Sequence, residues 1–198
     1  MKKGWAVLMA FVLAGCLWAA AAEPDQKNVL PAYVYTGEDP MIGAVAAYLV
    51  ESGYDDYEPE RISVLIPAPV ILKTVLEDDG HAVVYGNFWR MRYTKENNVL
   101  VCVMGGEAAG VMRLEYTDPV WKVVSFEQAG DGAEYARDIR RFCKGDRLLE
   151  AHYFLAQDAR RSPVKDVRKQ LIRAYVEANQ LDIVAYQDPY WEPVPLND

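Results

Sequence analysis

The chain has 198 residues, 52% of them hydrophobic, 25% charged and 12% aromatic, with a formal net charge of -8 at pH 7. That composition excludes a disordered polymer, and the acidic balance argues against a nucleic-acid partner, which selects basic surfaces. The charge is uneven: residues 23–134 hold 8 basic and 19 acidic side chains, residues 135–175 hold 11 and 5, and residues 176–198 hold none and 5. A positive segment therefore lies between two acidic ones. Its helices either pair with the acidic remainder and meet water, or meet anionic lipid or another acidic partner.

Lys2 and Lys3 precede an apolar run from Trp5 to Trp18, followed by four alanines and then Glu23 and Pro24. A short positive segment, an apolar stretch too brief to span a bilayer and a small-residue cleavage site predict an export signal over residues 1–22. Two ways of cutting it stay open. Ala20 and Ala22 suit cleavage before Glu23, whereas Leu13–Cys16 (LAGC) resembles the lipobox of bacterial lipoproteins, which would make Cys16 a lipidated first residue. Either predicts a periplasmic, cell-surface or secreted protein, and membrane attachment follows only if Cys16 is lipidated. Removal of the leader leaves 176 residues, enough for one domain. Cys102 and Cys143 then remain. They would close a disulfide loop of about forty residues, or stand as two buried thiols.

After an extended segment over residues 23–37, a single α+β domain is expected over 38–185. Asp39 and Pro40 look like an N-cap and first helical position, Ile42, Val45, Ala46 and Leu49 recur at helical spacing, and Gly53 supplies a stop. An acidic loop leads to a strand at Ile62, Val64 and Ile66, which Pro67 and Pro69 are expected to end or interrupt. From Val70 the period is two, with strands at 70–76, 82–93, 99–104, 111–116 and 120–127. The turn signals EDDG, TKENN, GGEAAG and TDP separate them, predicting an antiparallel meander. Residues 99–104 are apolar on both faces, as in a central strand. Helical character returns with Tyr135, Ile139 and Phe142, then residues 148–156, then a helix opened by Ser162 and Pro163. Val164, Val167, Leu171 and Tyr175 line one face of that helix, Lys165, Lys169 and Arg173 run down another, and Asn179 ends it. Residues 186–198 read as an aromatic and proline-spaced tail.

One helix followed by a meander that curls around it, over roughly residues 38–128, is similar to the cystatin-like and NTF2-like group of folds. A second likeness rests on residues 86–89 (GNFW), Gly105, Gly106 and Gly110, a basic helix, and residues 179–191 (NQLDIVAYQDPYW). That order resembles a family of uncharacterised exported proteins of anaerobic bacteria. The resemblance implies the fold and the export, and transfers no catalytic residue; Ala109 stands where such chains often carry proline.

Tyr85, Asn87, Trp89, Met91 and Tyr93 alternate along residues 82–93 and so share one face, an aromatic wall with one amide that would either hold an apolar ligand or fill the helix-facing core. The opposite set, Val84, Phe88, Arg90 and Arg92, mixes core with charge. Acid–base chemistry needs a carboxylate or histidine among apolar side chains. None stands on that strand, Glu115 falls on a solvated face, and His81 and His152 read as surface residues. Glu77, Asp78 and Asp79 lack an EF-hand pattern. Ser52, Ser63, Ser125 and Ser162 lie in no nucleophile motif, and GGEAAG opens no helix that would cradle phosphate. In the tail, Tyr186, Tyr190 and Trp191 are expected to dock on their own domain or present a partner-binding segment. No catalytic residue, cofactor or metal site is assigned. The leading expectation is an exported, non-enzymatic binding module for a small apolar ligand, an envelope component or a protein partner. The alternative is a cavity enzyme of isomerase or dehydratase type.

Overall fold

The computed structural model describes residues 29–53, 62–77, 80–117, 119–157 and 162–197. The expected leader and Cys16 lie outside the described residues, as do Asp78 and Asp79. Four long strands dominate: β1 (Ser63–Glu77), β2 (His81–Glu96), β3 (Val99–Thr117) and β4 (Val120–Gln128). Each pairs antiparallel with the next. Helix α1 (Pro40–Glu51) precedes them, and α2 (Ala133–Cys143), α3 (Arg147–Gln157) and α4 (Val164–Ala178) follow, before the short strands β5 (Ala185–Gln187) and β6 (Val194–Pro195). The architecture is α+β, a curled, mostly antiparallel sheet with four helices among the described residues.

Two turn signals do not act as turns. β1 runs unbroken through Pro67 and Pro69, which sit opposite Arg90 and Phe88. Among the described residues β1 pairs only with β2, and prolines two residues apart place their missing N–H groups on the same, outer side, where an edge strand needs no donor. GGEAAG is likewise not a hairpin but the middle of β3, paired residue for residue with Trp89 and its neighbours on β2. Gly110 is demanded by a close approach instead: a Cβ there would lie 2.3 Å from the Glu127 carbonyl oxygen of β4. The true β2–β3 turn holds Asn97 at φ 55°, a left-handed conformation that asparagine tolerates.

Helices cover both faces of the sheet. On one, Val84, Phe88, Met112 and Leu114 pack beneath Val45 and Leu49 of α1. α1 is started by Asp39, whose Oδ1 accepts the Met41 N–H at 2.9 Å, and it touches both β1 and β4. The aromatic set of β2 points the other way, and the helix-facing core it helps to fill is built mainly against α2, α3 and α4. Its first part packs with Ala109 and Val111 against Ile139 and Phe142 of α2 and Leu149 and Tyr153 of α3. Its last part packs with Val64, Ile66 and Leu100 against Ile172, Tyr175 and Val176 of α4. The buried stripe of α4 thus runs through Arg168, Ile172, Tyr175 and Val176: it shares Tyr175 with the expected Val164–Val167–Leu171–Tyr175 line and otherwise lies beside it, with Arg168 buried in an ion pair.

Both chain ends of the described structure join the α4 side. Leu30, Tyr33, Tyr186 and Leu196 are buried there, and the Tyr175 hydroxyl donates to the Pro31 carbonyl at 2.8 Å. Tyr186 docks as expected, but Tyr190 and Trp191 stand out from the surface. Cys102 and Cys143 are free thiols in different clusters, so the disulfide considered between them is not formed. Burial pushes both thiols up, Cys143 to about 11, which keeps them protonated and unreactive.

Candidate functional site

β3 is longer than its neighbours on its outer side. Val99–Val101 pair with β5 and residues 110–117 with β4, and among the described residues no strand pairs with the stretch between them on that side. On the face turned toward α2, α3 and α4, this gap coincides with the seam between the two helical coverings. Asn87, Trp89 and Glu107 occupy that seam, Trp89 directly opposite Glu107. Asn87 is fully buried and its Nδ2 donates to Glu107 Oε1. Three further atoms are buried without a hydrogen-bond partner: Asn87 Oδ1, Trp89 Nε1 and the Tyr135 hydroxyl. Such atoms normally find partners, because leaving one unpaired costs about 1–3 kcal/mol. Burial raises the Glu107 carboxyl above the usual carboxylate value. Burial, and then the nearby Glu107 charge, raise the Tyr135 phenol.

Beside the seam a groove of about 520 Å³ opens along the unpaired stretch of β3. Trp89, Met91, Met104 and Gly105 form its floor, and Arg168, Asp188 and Trp191 its wall. Arg168 grips Asp188 with both terminal nitrogens, at 2.7 and 2.6 Å, while its Nε donates to the Tyr93 hydroxyl at 2.5 Å. The guanidinium also lies 4.4 Å over the Tyr186 ring. Burial pulls Arg168 toward losing its proton, but the bonds to Asp188 and the contact with Tyr93 outweigh it and the net shift is upward. The guanidinium therefore stays charged and holds Asp188 in the wall.

The sheet face sorts the expected wall residues into three environments. Trp89 and Met91 line the groove. Asn87 and Tyr93 are fully buried, Asn87 in the seam and Tyr93 beneath Arg168, where it also donates to Met91 Sδ at 3.4 Å. Tyr85 lines a separate hollow of about 150 Å³ with Arg141 and Phe142. The five do not share one pocket. The chain matches no protein-family profile, no curated protein and no solved structure. The site is therefore read from its own chemistry.

Glu107 is the residue that reading the sequence missed, because two flanking glycine signals assigned it to a loop. Its only neighbours there are Gly and Ala, with none of the Asn, Asp or Pro that fix a turn, and that absence was the available signal. Arg168 was detectable as the first member of a 168, 172, 175, 176 helical stripe. His81, His152 and Glu115 are exposed, as expected. A second groove, of about 650 Å³, lies between Gly43, Ala44 and Ala47 of α1 and Trp121 of β4. None of its lining residues carries a buried unpartnered polar side-chain atom.

Proposed function

We propose that the protein is an exported binding module whose ligand is a small molecule with a flat apolar body, seated in the groove between Trp89 and Trp191. The observation that carries this reading is the juxtaposition of an apolar, aromatic groove with buried polar atoms that have no partner inside the protein. Aromatic and thioether side chains supply contact area at low entropic cost, and the few unsatisfied polar atoms supply orientation. Export is supported by the basic, apolar and alanine-rich order of residues 1–22, and lipidation at Cys16 remains the version that would attach the protein to a membrane. The contacts of α1 with both β1 and β4 support the cystatin-like or NTF2-like arrangement, with the sheet wrapped on that helix. A second reading, the cavity enzyme of isomerase or dehydratase type, is favoured by Glu107, a half-buried carboxyl shifted toward neutrality beside a phenol.

Gly105 makes the binding reading testable. A Cβ at this position meets only ordinary contacts, the nearest being Met91 Cγ at 3.5 Å, so Gly105→Leu fills the groove floor without backbone strain. The neutral fluorophore prodan should bind the wild type saturably with a blue shift. Gly105→Leu should lose that binding while melting within a few degrees of wild type. Saturable binding that Gly105→Leu leaves intact would place the ligand elsewhere.

A further inference from the structure

The groove reading leaves the chemistry of the seam unexplained. Glu107 has no cationic partner among the described residues, and burial alone accounts for its shift. The arginines of α2 are spent on their own surroundings: Arg137 on Glu134, Arg140 on Glu150, and Arg141 on Glu127 and Asp138. Arg168 is held by Asp188. The Asn87 amide is oriented by Glu107, so its Nδ2 is committed and its Oδ1 is left as a fully buried acceptor with nothing to accept. Tyr135 Oη, near enough to feel the Glu107 charge, is equally unpartnered. A carboxylate, an amide oxygen and a phenol oxygen thus lie in one seam of a protein of net charge -8, bordered by the Trp89 indole.

We infer that this seam receives the ammonium group of an organic amine. Its N–H donors would meet Glu107, Asn87 Oδ1 and Tyr135 Oη, and its apolar body would lie over Trp89 in the adjoining groove. An ammonium supplies what each group lacks: a countercharge for the carboxylate, donors for the two orphaned oxygens, and a cation beside an indole face. The orphaned Trp89 Nε1–H asks in addition for an acceptor on the ligand, so the class is an amine with an aromatic or apolar body and a hydroxyl or carbonyl. A divalent metal fits poorly. Calcium and magnesium require about six or more oxygen ligands, one carboxylate stands here, and no group of three His, Cys, Asp or Glu suited to a metal occurs among the described residues. Water would satisfy the orphaned oxygens but leave the carboxylate without a countercharge.

The inference rests on the groove reading, and a matched pair of probes separates the two. Phenethylamine and phenethyl alcohol share a body and differ in charge, and the affinity of each is read from amide shifts of isotope-labelled protein. Charge-assisted hydrogen bonds predict that the amine binds at least about tenfold more tightly. Glu107→Gln should bring the amine down to the alcohol, and Tyr135→Phe should remove part of the difference, while Gly105→Leu weakens both probes. Equal affinities in the wild type, or an amine preference that Glu107→Gln retains, overturn the ammonium site and leave the groove. Absence of binding by either probe removes both readings.

Discussion

The Arg168–Asp188 pair is where stability and the groove wall meet, and its asymmetry gives a sharp prediction. Arg168 has 7% of its side-chain surface exposed and Asp188 has 42%. Removing the carboxylate by Asp188→Ala leaves a guanidinium sealed from water with only the Tyr93 hydroxyl to accept from it. A buried charge stripped of its partner costs about 3–5 kcal/mol, and the exposed side of Asp188 places this case near 3. Removing the guanidinium by Arg168→Met is milder, although it deletes more polar atoms. The carboxylate turns to solvent, Tyr93 keeps its bond to Met91 Sδ, and the thioether chain retains packing against Tyr186. About 2 kcal/mol is expected, from lost charge-assisted bonds. In the Arg168→Met, Asp188→Ala double variant the second change is nearly free, so its total should stay near 2–3 kcal/mol instead of the additive value of about 5.

Urea unfolding followed by far-ultraviolet circular dichroism reads these differences as midpoint shifts at constant slope. The larger single change corresponds to about 6–12 °C in Tm for a domain of this size. Two results would refute the reasoning: additive single variants, or Arg168→Met proving costlier than Asp188→Ala. Either would mean that the guanidinium contributes through packing and stacking alone, and that the groove wall is not held by charge.

Tyr153→Phe removes a fully buried hydroxyl that accepts from the Gly86 N–H at 3.1 Å and donates to the Gly110 carbonyl at 2.6 Å; two orphaned backbone groups predict a loss of about 2–4 kcal/mol, measurable by the same unfolding. Gly110→Ala should be at least as damaging, since its Cβ would lie 2.3 Å from a backbone oxygen, whereas Gly105→Ala should shift Tm by no more than a degree or two; equal effects at the two glycines would contradict the strand pairing. Glu107 gives a pH signature. Its folded carboxyl holds the proton more tightly than the unfolded one, so its penalty is absent below the ordinary carboxylate value, grows as pH rises through the window up to the raised folded value, and is full above it. Glu107→Gln should therefore gain stability over wild type at neutral pH and lose that advantage in acid, and a difference that is flat with pH would show the carboxyl to be unshifted.

Period-two alternation made the antiparallel strands legible, and cap chemistry at Asp39 and Asn179 placed helix ends to the residue. Where the sequence misled, local turn chemistry was outvoted by position in the sheet. A proline is a breaker only where its neighbour needs the missing N–H, and among the described residues β1 has no neighbouring strand on that side. A glycine run is a turn only where the chain must reverse, and at 105–110 the glycines instead admit a neighbouring strand and a groove. Both facts depend on which strand lies beside which, and a single strand's own residues do not state that. The same limit hid Glu107. Once GGEAAG is read as a loop, its carboxylate counts as solvated, and the pairing with Trp89 that draws it into the seam is invisible.

The cost of the seam argues that it is functional and not accidental. Val in place of Glu107, with leucine in place of Asn87, would pack the junction between the α2–α3 and α4 coverings without a buried carboxyl and without the unpaired amide oxygen. The protein instead keeps an amide, a carboxyl, an indole N–H and a phenol there, three of them with an unsatisfied atom, while the fully buried hydroxyls of Tyr93 and Tyr153 on either side of the seam are hydrogen-bonded. A polar cluster that destabilises the fold is retained where something outside the chain completes it. If apolar replacement of Glu107 and Asn87 together raised Tm and left every probe's binding unchanged, that link between strain and use would be broken.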